Sequence, residues 1–243
     1  MIPRFHCPAP LAPGALVELP ETVGHHALRV LRMKSGDHLI LFDGNGGEWR
    51  ATLKLGAGGT AQALLGEFAA IERESPLQVT LAQALPAGDK MDWIVEKCVE
   101  LGVAAIQPLA AKRSVMRLSP ERMARRVAHW NAIARTACEQ CGRNRVPAVM
   151  PVLDLPQYLG TAQAQNACRL LLEPQGEDTL RSLARPTAPV VVMVGPEGGW
   201  EDAERSAAHA AGFTVLRLGP RVLRTETAGM ALLAALQALG GDF

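Results

Sequence analysis

The rhythm of hydrophobic and polar positions changes about a third of the way along the chain. In the first part, short apolar runs alternate with glycine-rich turns, as in residues 39–42, 49–55 and 61–68, which are separated by residues 43–47 and 56–59. Such spacing predicts strands joined by tight turns. One helical stretch, residues 23–32, interrupts them. The pattern predicts a small β-barrel-like domain.

A polar stretch at residues 72–76 precedes a second, different pattern. Apolar strand-like runs now alternate with segments of helical period. The predicted strands are 77–85, 104–109, 169–172, 190–194 and 214–218, and the predicted helices are 90–101, 120–140, 155–164, 179–183, 201–211 and 226–239. This alternation predicts an α/β domain whose mostly parallel sheet is covered on both faces. We therefore expect two domains, residues 1–72 and 73–243.

Composition excludes several classes of protein. Of 243 residues, 48% are hydrophobic and 20% charged, which excludes wholesale disorder, and a net charge of +1 excludes a uniformly basic surface. Five scattered cysteines argue for a reducing compartment. The first residues lack an apolar signal segment, and the apolar run 228–239 is too short to span a bilayer. We expect a soluble, cytoplasmic protein with no membrane partner.

Several common catalytic signatures are missing from the sequence. It contains no phosphate-binding P-loop motif, no G-x-G-x-x-G fingerprint, no H-E-x-x-H and no G-x-S-x-G. Cys138 and Cys141 form a lone C-x-x-C without a second pair, so we expect no metal site there. His25 and His26 are adjacent, and neighbouring helical positions do not face each other, so packing explains them better than a shared metal ion.

Two loops that follow predicted strands carry the strongest signal. The strand at 190–194 runs into Gly195-Pro-Glu-Gly-Gly-Trp200, and the strand at 214–218 runs into Gly219-Pro-Arg-Val-Leu-Arg-Thr-Glu-Thr227. Ligands of open parallel sheets bind beyond the carboxyl ends of the strands. Thr225 and Glu226 are explained by helix capping. Arg221 and Arg224 are not, and two arginines beside a helix N-terminus favour an anion or an electron-rich partner.

These two motifs together resemble those of the SPOUT methyltransferases. The similarity is greatest to ribosomal RNA small subunit methyltransferase E, the family that methylates N3 of a uridine in 16S ribosomal RNA. It extends over almost the whole chain, since Pro3-Arg-Phe5, Leu28-Arg-Val-Leu-Arg32 and Glu96-Lys-Cys-Val-Glu-Leu-Gly102 also resemble that family. Pro220 and Trp200 are small departures from it.

The resemblance implies a C-terminal α/β domain with a deep trefoil knot, a rare exception among folds, preceded by a PUA-like β-barrel that binds RNA. It also implies a homodimer formed through the knotted domain, S-adenosylmethionine as cofactor, and 16S rRNA of the small ribosomal subunit, in its decoding region, as partner. Carried over residue by residue, the cofactor contacts are Leu172, Glu173, Val194, Gly195, Pro196, Glu197, Gly198, Gly199, Leu218, Gly219, Val222, Leu223 and Thr225.

A local excess of basic residues indicates where RNA binds. Between Lys112 and Arg145 there are nine Lys or Arg and two acids, although the whole chain is nearly neutral. Such a stretch suits phosphates. Arg122, Arg125 and Arg126 are equally well explained as a solvated helix face. The candidates for RNA contact are Arg4, Arg29, Arg32, Lys34, Arg113, Arg117, Arg143 and Arg145.

The chemistry requires deprotonation of the uridine N3. An arginine near the uracil oxygens would stabilise the anion, and Arg224 or Arg221 is placed for this role, with Glu226 a weaker candidate for the base. Three alternatives remain open at this stage. They are a SPOUT enzyme acting on transfer RNA or a ribose hydroxyl, a non-catalytic RNA-binding protein, and a small-molecule enzyme with a phosphate-bearing ligand.

Overall fold

The computed structural model describes residues 2–8, 10–114, 119–162 and 166–243. They divide into two compact units, one formed by Met1–Glu74 with Arg135–Val146 and the other by Ser75–Ala134 with Pro147–Phe243. The division after Glu74 lies two residues from the boundary expected at residue 72. The return of a later segment to the first unit was not predicted. None of the helices in the described ranges has the length and hydropathy needed to cross a membrane.

The first unit is built around a five-stranded sheet with the order β1-β3-β4-β5-β2. β1 pairs parallel with β3, and the remaining pairs are antiparallel. A helix, α1 (Glu21–His25), continues into a wider π-helical turn, His26–Val30, where residues 23–32 were predicted to be helical. The strands are β1 (Arg4–His6), β2 (Leu16–Glu18), β3 (His38–Phe42), β4 (Glu48–Leu55) and β5 (Ala61–Ala69).

A buried charge network ties the sheet of this unit to its later segment. Arg4 donates from Nη1 to the Glu48 carboxylate at 2.6 Å and from Nη2 to Asn144 Oδ1 at 2.6 Å. Asn144 and Arg73 also donate to Glu48. Burial alone would raise the pKa of Glu48, but these hydrogen bonds outweigh it and hold that pKa below its ordinary value. Glu48 is therefore the acceptor that joins β1, β4 and the segment near residue 144.

The second unit contains an eight-stranded sheet in which all recorded strand pairs are parallel. Its order is β11-β13-β10-β12-β6-β7-β8, with β9 also pairing with β7. The strands are β6 (Val79–Ala84), β7 (Ala105–Ala110), β8 (Ala148–Val149), β9 (Leu153–Asp154), β10 (Cys168–Leu172), β11 (Asp178–Thr179), β12 (Val190–Val194) and β13 (Thr214–Arg217).

Helices cover both faces of this sheet, as the alternating pattern predicted. Every residue of β12 is buried, which is expected of a strand covered on both sides. On one face Ala82 and Ala84 pack with residues of α4 and α5, while on the other Leu81 approaches Gly229 of α6. The helices are α2 (Lys90–Glu100), α3 (Pro120–Cys141), α4 (Leu155–Ala162), α5 (Asp202–Ala210) and α6 (Thr225–Gly240).

The prediction of a helix at residues 179–183 is wrong. Asp178–Thr179 instead pairs with β13 as a short edge strand, and only a single 3-10 turn, Leu180–Ser182, follows. A reciprocal capping box between Thr179 and Ser182 closes that turn. The capping box satisfies amides only at the start of the turn, and Leu183 already returns to extended backbone, so the turn ends after one repeat.

The Glu48 network generates a prediction about the stability of the first unit. Glu48→Gln keeps the shape of the side chain but leaves the buried Arg4 guanidinium without its counter-charge. The free energy of opening should fall by about 3 kcal/mol, measured by native-state hydrogen exchange of amides in β3, β4 and β5. Because the folded pKa of Glu48 is lowered, this stabilisation is present above its ordinary range and is lost as the pH falls through the lowered value.

Glu18→Gln is the matched control, since Glu18 is an exposed glutamate of β2 in the same unit. It should leave exchange unchanged. Equal protection in Glu48→Gln and the wild type would show that Glu48 does not hold the unit together.

Candidate functional site

A cavity of about 450 Å³ opens where the carboxyl ends of three neighbouring strands meet. β13, β10 and β12 are adjacent and parallel, so the loops that follow them emerge at one edge of the sheet. The cavity is lined by the loop after β10, the loop after β12 and the segment between β13 and α6. The three loops expected to surround a ligand thus line one cavity, and all of them belong to the second unit.

Most residues predicted to contact a ligand line this cavity. From the loops after β10 and β12 they are Leu172, Glu173, Val194, Gly195, Pro196, Glu197 and Gly199, and from the last loop they are Leu218, Arg221, Val222, Leu223, Arg224 and Thr225. Gly198, Gly219 and Glu226 are not among the lining residues. Lys90, Pro174, Trp200, Leu216, Arg217 and Ala228 also line it and were not predicted as ligand contacts.

The Thr225 side chain connects two walls of the cavity. Its hydroxyl donates to the carbonyl oxygen of Gly195 at 2.5 Å and accepts a hydrogen bond from Gln83 Nε2 at 2.9 Å. Gln83 lies on the central strand β6 and is fully buried. Thr225 was predicted to cap α6, but Arg224 occupies the N-cap position and the Thr225 hydroxyl is used between loops. The hydroxyl therefore fixes the glycine loop against the start of α6.

The glycine loop approaches its neighbours too closely for side chains. A Cβ on Gly195 would lie 3.0 Å from Trp200 Nε1, and Gly199 has a φ of +68° that L residues rarely adopt. The Gly199 amide donates to the Pro196 carbonyl oxygen and closes a turn. Arg113 supports the same loop from outside, since its Nη1 donates to the Gly198 carbonyl oxygen at 2.9 Å.

Charged groups of both signs surround the cavity. Burial raises the pKa of Glu173, while Arg205, 3.9 Å away, opposes the shift. For Glu197, burial would also raise the pKa, but hydrogen bonds led by that from Lys90 outweigh it and lower the pKa. Lys90 Nζ lies 2.7 Å from Glu197 Oε1 and 3.5 Å from Glu226 Oε2. Glu226 thus contacts a residue that lines the cavity without lining it itself.

Two buried nitrogens at the cavity walls have no hydrogen-bond partner within the described residues. They are Nε1 of Trp200 and Nε of Arg217. Buried donors are nearly always satisfied by protein, water or ligand. The walls therefore combine apolar surface with unsatisfied donors, as is typical of a pocket for an organic ligand. In the same described ranges, no three His, Cys, Asp or Glu side chains are grouped to bind a metal ion.

The predicted RNA contacts separate into exposed and structural residues. Arg29, Arg32, Lys34, Arg113 and Arg145 are exposed. Arg145 pairs with Glu72 at 3.3 Å. Arg117 lies outside the described residues.

The prediction that Arg4 and Arg143 contact RNA is wrong, because both form ion pairs inside the first unit. Arg4 pairs with Glu48 and Arg143 with Glu74, and their side chains are only 9% and 6% exposed. Their role is to stabilise the unit.

Fold and cavity together define a two-unit protein whose α/β unit has a cavity at the carboxyl edge of a parallel sheet. Comparison with family models indicates the chemistry of this class of protein. A model described as an RNA methyltransferase domain matches residues 73–237, and one described as an RNA methyltransferase PUA domain matches residues 19–63.

Known relatives are similar over nearly the whole chain. Ribosomal RNA small subunit methyltransferase E of Synechocystis is 38% identical, with 94% of this chain and 76% of the relative covered. The protein of the same name from Bacillus subtilis is 36% identical over 87% of this chain and 86% of its own. The chain belongs to the ribosomal RNA small subunit methyltransferase E family.

Solved structures agree with this assignment. The family member from Neisseria gonorrhoeae, crystallised with S-adenosylmethionine, is 40% identical and has a TM-score of 0.90, with both chains fully covered. A protein of Legionella pneumophila described as a methyltransferase, solved with the same cofactor bound, is 38% identical and has a TM-score of 0.95, again with full coverage of both chains.

Thr225 carries the prediction from the site. Thr225→Val preserves the shape but leaves the Gly195 carbonyl oxygen and the Gln83 amide without their shared partner. The free energy of unfolding should fall by about 1–3 kcal/mol, measured by urea denaturation. Thr214→Val, at an exposed position of β13, is the control and should be nearly neutral. A Thr225→Val protein as stable as the control would show that the hydroxyl does not hold the loops together.

Proposed function

We propose that this protein is an S-adenosylmethionine-dependent methyltransferase that modifies N3 of one uridine in the decoding region of 16S rRNA. The observation that carries the proposal is the cavity itself, where three loops at the carboxyl edge of the sheet bring glycines and two arginines together. The names of the relatives and the cofactor in the related crystal structures support it.

The cavity fits S-adenosylmethionine in size and chemistry. Its volume of about 450 Å³ is within the range of small-molecule pockets. The apolar walls formed by Leu172, Val194 and Leu223 suit an adenine, and the glycine loop lets backbone groups approach. The unsatisfied nitrogens of Trp200 and Arg217 offer donors to ligand oxygens or ring nitrogens. When bound, the cofactor supplies a methyl group activated by a sulfonium.

Arg224 is the residue best placed to act on the uracil. Its side chain is 81% exposed and it lines the cavity, so its guanidinium can reach a base presented from outside. As N3 loses its proton, negative charge spreads to the uracil oxygens, and a guanidinium donates two fixed hydrogen bonds to such an anion. Arg221 lies in the same loop and is the second candidate. Glu226 is proposed as a counter-ion here, because it does not line the cavity.

Substrate binding uses exposed positive residues in this proposal. They would contact phosphates, so binding should weaken as salt rises. These residues are Arg29, Arg32, Lys34 and Arg145 of the first unit and Arg113 of the second. A target base must leave its stack before N3 is accessible.

The proposal also includes the knotted path of the chain, a homodimer formed through the larger unit, and a cytoplasmic location.

The cofactor proposal predicts saturable binding near one S-adenosylmethionine per chain in calorimetric titration. Gly195→Val should weaken binding at least about tenfold, because the new side chain would collide with the Trp200 indole and displace the loop. Gly160→Val, at an exposed glycine of α4 with open space around it and outside the cavity, is the control for folding and should bind normally. Absence of binding to the wild type would refute the proposed cofactor.

The catalytic proposal predicts that Arg224→Ala abolishes most turnover while cofactor binding is kept. Loss of one anion-stabilising donor should lower kcat by about 100-fold or more. Activity is measured on small ribosomal subunits lacking the modification, by mass spectrometry of digested 16S rRNA with N3-methyluridine as standard. Arg181→Ala, at an exposed arginine outside the cavity, is the control. Normal turnover of Arg224→Ala would exclude this role, and a methyl group on another atom would exclude the proposed target.

A further inference from the structure

Lys90 is a cavity residue that no sequence motif indicated. It begins α2, lines the cavity, and its ammonium lies between two carboxylates that come from different parts of the chain. The distances are 2.7 Å to Glu197 Oε1 and 3.5 Å to Glu226 Oε2. One cation thus holds the glycine loop and faces the first turn of α6.

The Glu226 carboxylate lies between two cations of very different exposure. Its side chain is 8% exposed, and the Arg224 Nη1 atom is 4.0 Å from its other oxygen, Oε1. Lys90 is 34% exposed, whereas Arg224 is 81% exposed. Glu226 Oε2 is buried and accepts no hydrogen bond from the described residues. A buried carboxylate is costly without a cation, so whichever cation is available will be drawn to it.

We propose that Lys90 is a positioning residue that keeps Arg224 available to the substrate by compensating the charge of Glu226. This inference rests on the proposed function of Arg224. With Lys90 present, Glu226 already has a cation at 3.5 Å, and Arg224 remains loosely associated at 4.0 Å. Without Lys90, Arg224 is the cation nearest to the carboxylate, and a small rotamer change would close a charge-assisted hydrogen bond. The guanidinium would then be withdrawn from the uracil.

The first test measures Arg224 directly and needs no catalysis. Phenylglyoxal modifies accessible, unpaired guanidinium groups, and peptide mass spectrometry reports the rate at Arg224 in the full-length protein. Lys90→Met should slow modification of Arg224 at least about threefold, and Lys90→Met combined with Glu226→Gln should restore the wild-type rate. Arg181 is an internal reference whose rate should not change. An unchanged rate at Arg224 in Lys90→Met would overturn the proposal.

The second test measures turnover and cofactor affinity together. Lys90→Met should lower kcat about tenfold or more at saturating S-adenosylmethionine. The dissociation constant is measured alongside, because loss of the Lys90–Glu197 contact also acts on the glycine loop. Lys90→Arg should recover much of the loss, because it restores a cation at the same place. Lys97→Met is the matched control, since Lys97 is on the same helix and pairs with Glu96 and Glu100 outside the cavity. A Lys90→Met enzyme with wild-type kcat would overturn the proposal.

A double-mutant cycle separates this role from a merely structural one. If Lys90 acts through Glu226, Lys90→Met should cost little in a Glu226→Gln background, so the double variant should match Glu226→Gln within about threefold. The same cycle with Glu197→Gln should show the full loss from Lys90→Met, which excludes an effect transmitted by the glycine loop. A Glu226→Gln variant without turnover would make Glu226 a reacting group and overturn the proposal. Failure of the wild type to methylate RNA would refute the proposed function, while the phenylglyoxal result would still decide the role of Lys90.

Discussion

The parallel pairing of β13, β10 and β12 is the constraint on which the site depends. Because the three strands run in the same direction, their carboxyl ends meet at one edge, and the loops that follow them have no other place to converge. A single hydroxyl then fixes the geometry, since Thr225 joins the Gly195 carbonyl oxygen to Gln83 on β6. Gln83 is fully buried on the interior strand β6, so the loops are held to the core of the unit. The positions of the cavity walls therefore follow from the sheet and from this one hydroxyl.

Charge around the cavity is arranged in layers. Buried or half-buried carboxylates, Glu173 and Glu226, lie beneath arginines that remain exposed, Arg205 and Arg224. Lys90 lies between Glu197 and Glu226, close enough to compensate both carboxylates. Around Glu226 this arrangement lets the Arg224 guanidinium keep its hydrogen-bonding capacity, because the carboxylate already has Lys90 as a cation 3.5 Å away. A site that must stabilise a transient anion needs donors that are oriented but not already consumed by ion pairs.

Elements with a clear hydrophobic period were predicted well from the sequence. Elements and residues whose position depends on partners far away in the chain were not. β12 and its glycine loop were predicted because a run of buried valines and the following glycines are local signals. Lys90 was missed because its partners lie more than 100 residues away and no spacing rule links them. The short strands β8 and β9 escaped prediction since two-residue pairings leave no period to detect. The same holds for the edge strand and turn at 178–182, where two residues pair with β13 and only a single turn follows.

Arg4 and Arg143 show why a count of basic residues overestimates a nucleic-acid surface. Arg143 belongs to the basic stretch 112–145 and Arg4 was predicted to be a local contact of the first domain, yet each meets a carboxylate of the same folded unit, Glu48 or Glu74. These ion pairs make the two arginines unavailable to phosphates. They also help to join the later segment near residue 144 to the sheet of the first unit. The arginines that stay exposed, Arg29, Arg32 and Arg145, are the ones proposed to contact phosphates, where counterion release would contribute to affinity. A nearly neutral unit can thus bind RNA only through a few local contacts, which favours recognition of a particular site over indiscriminate binding.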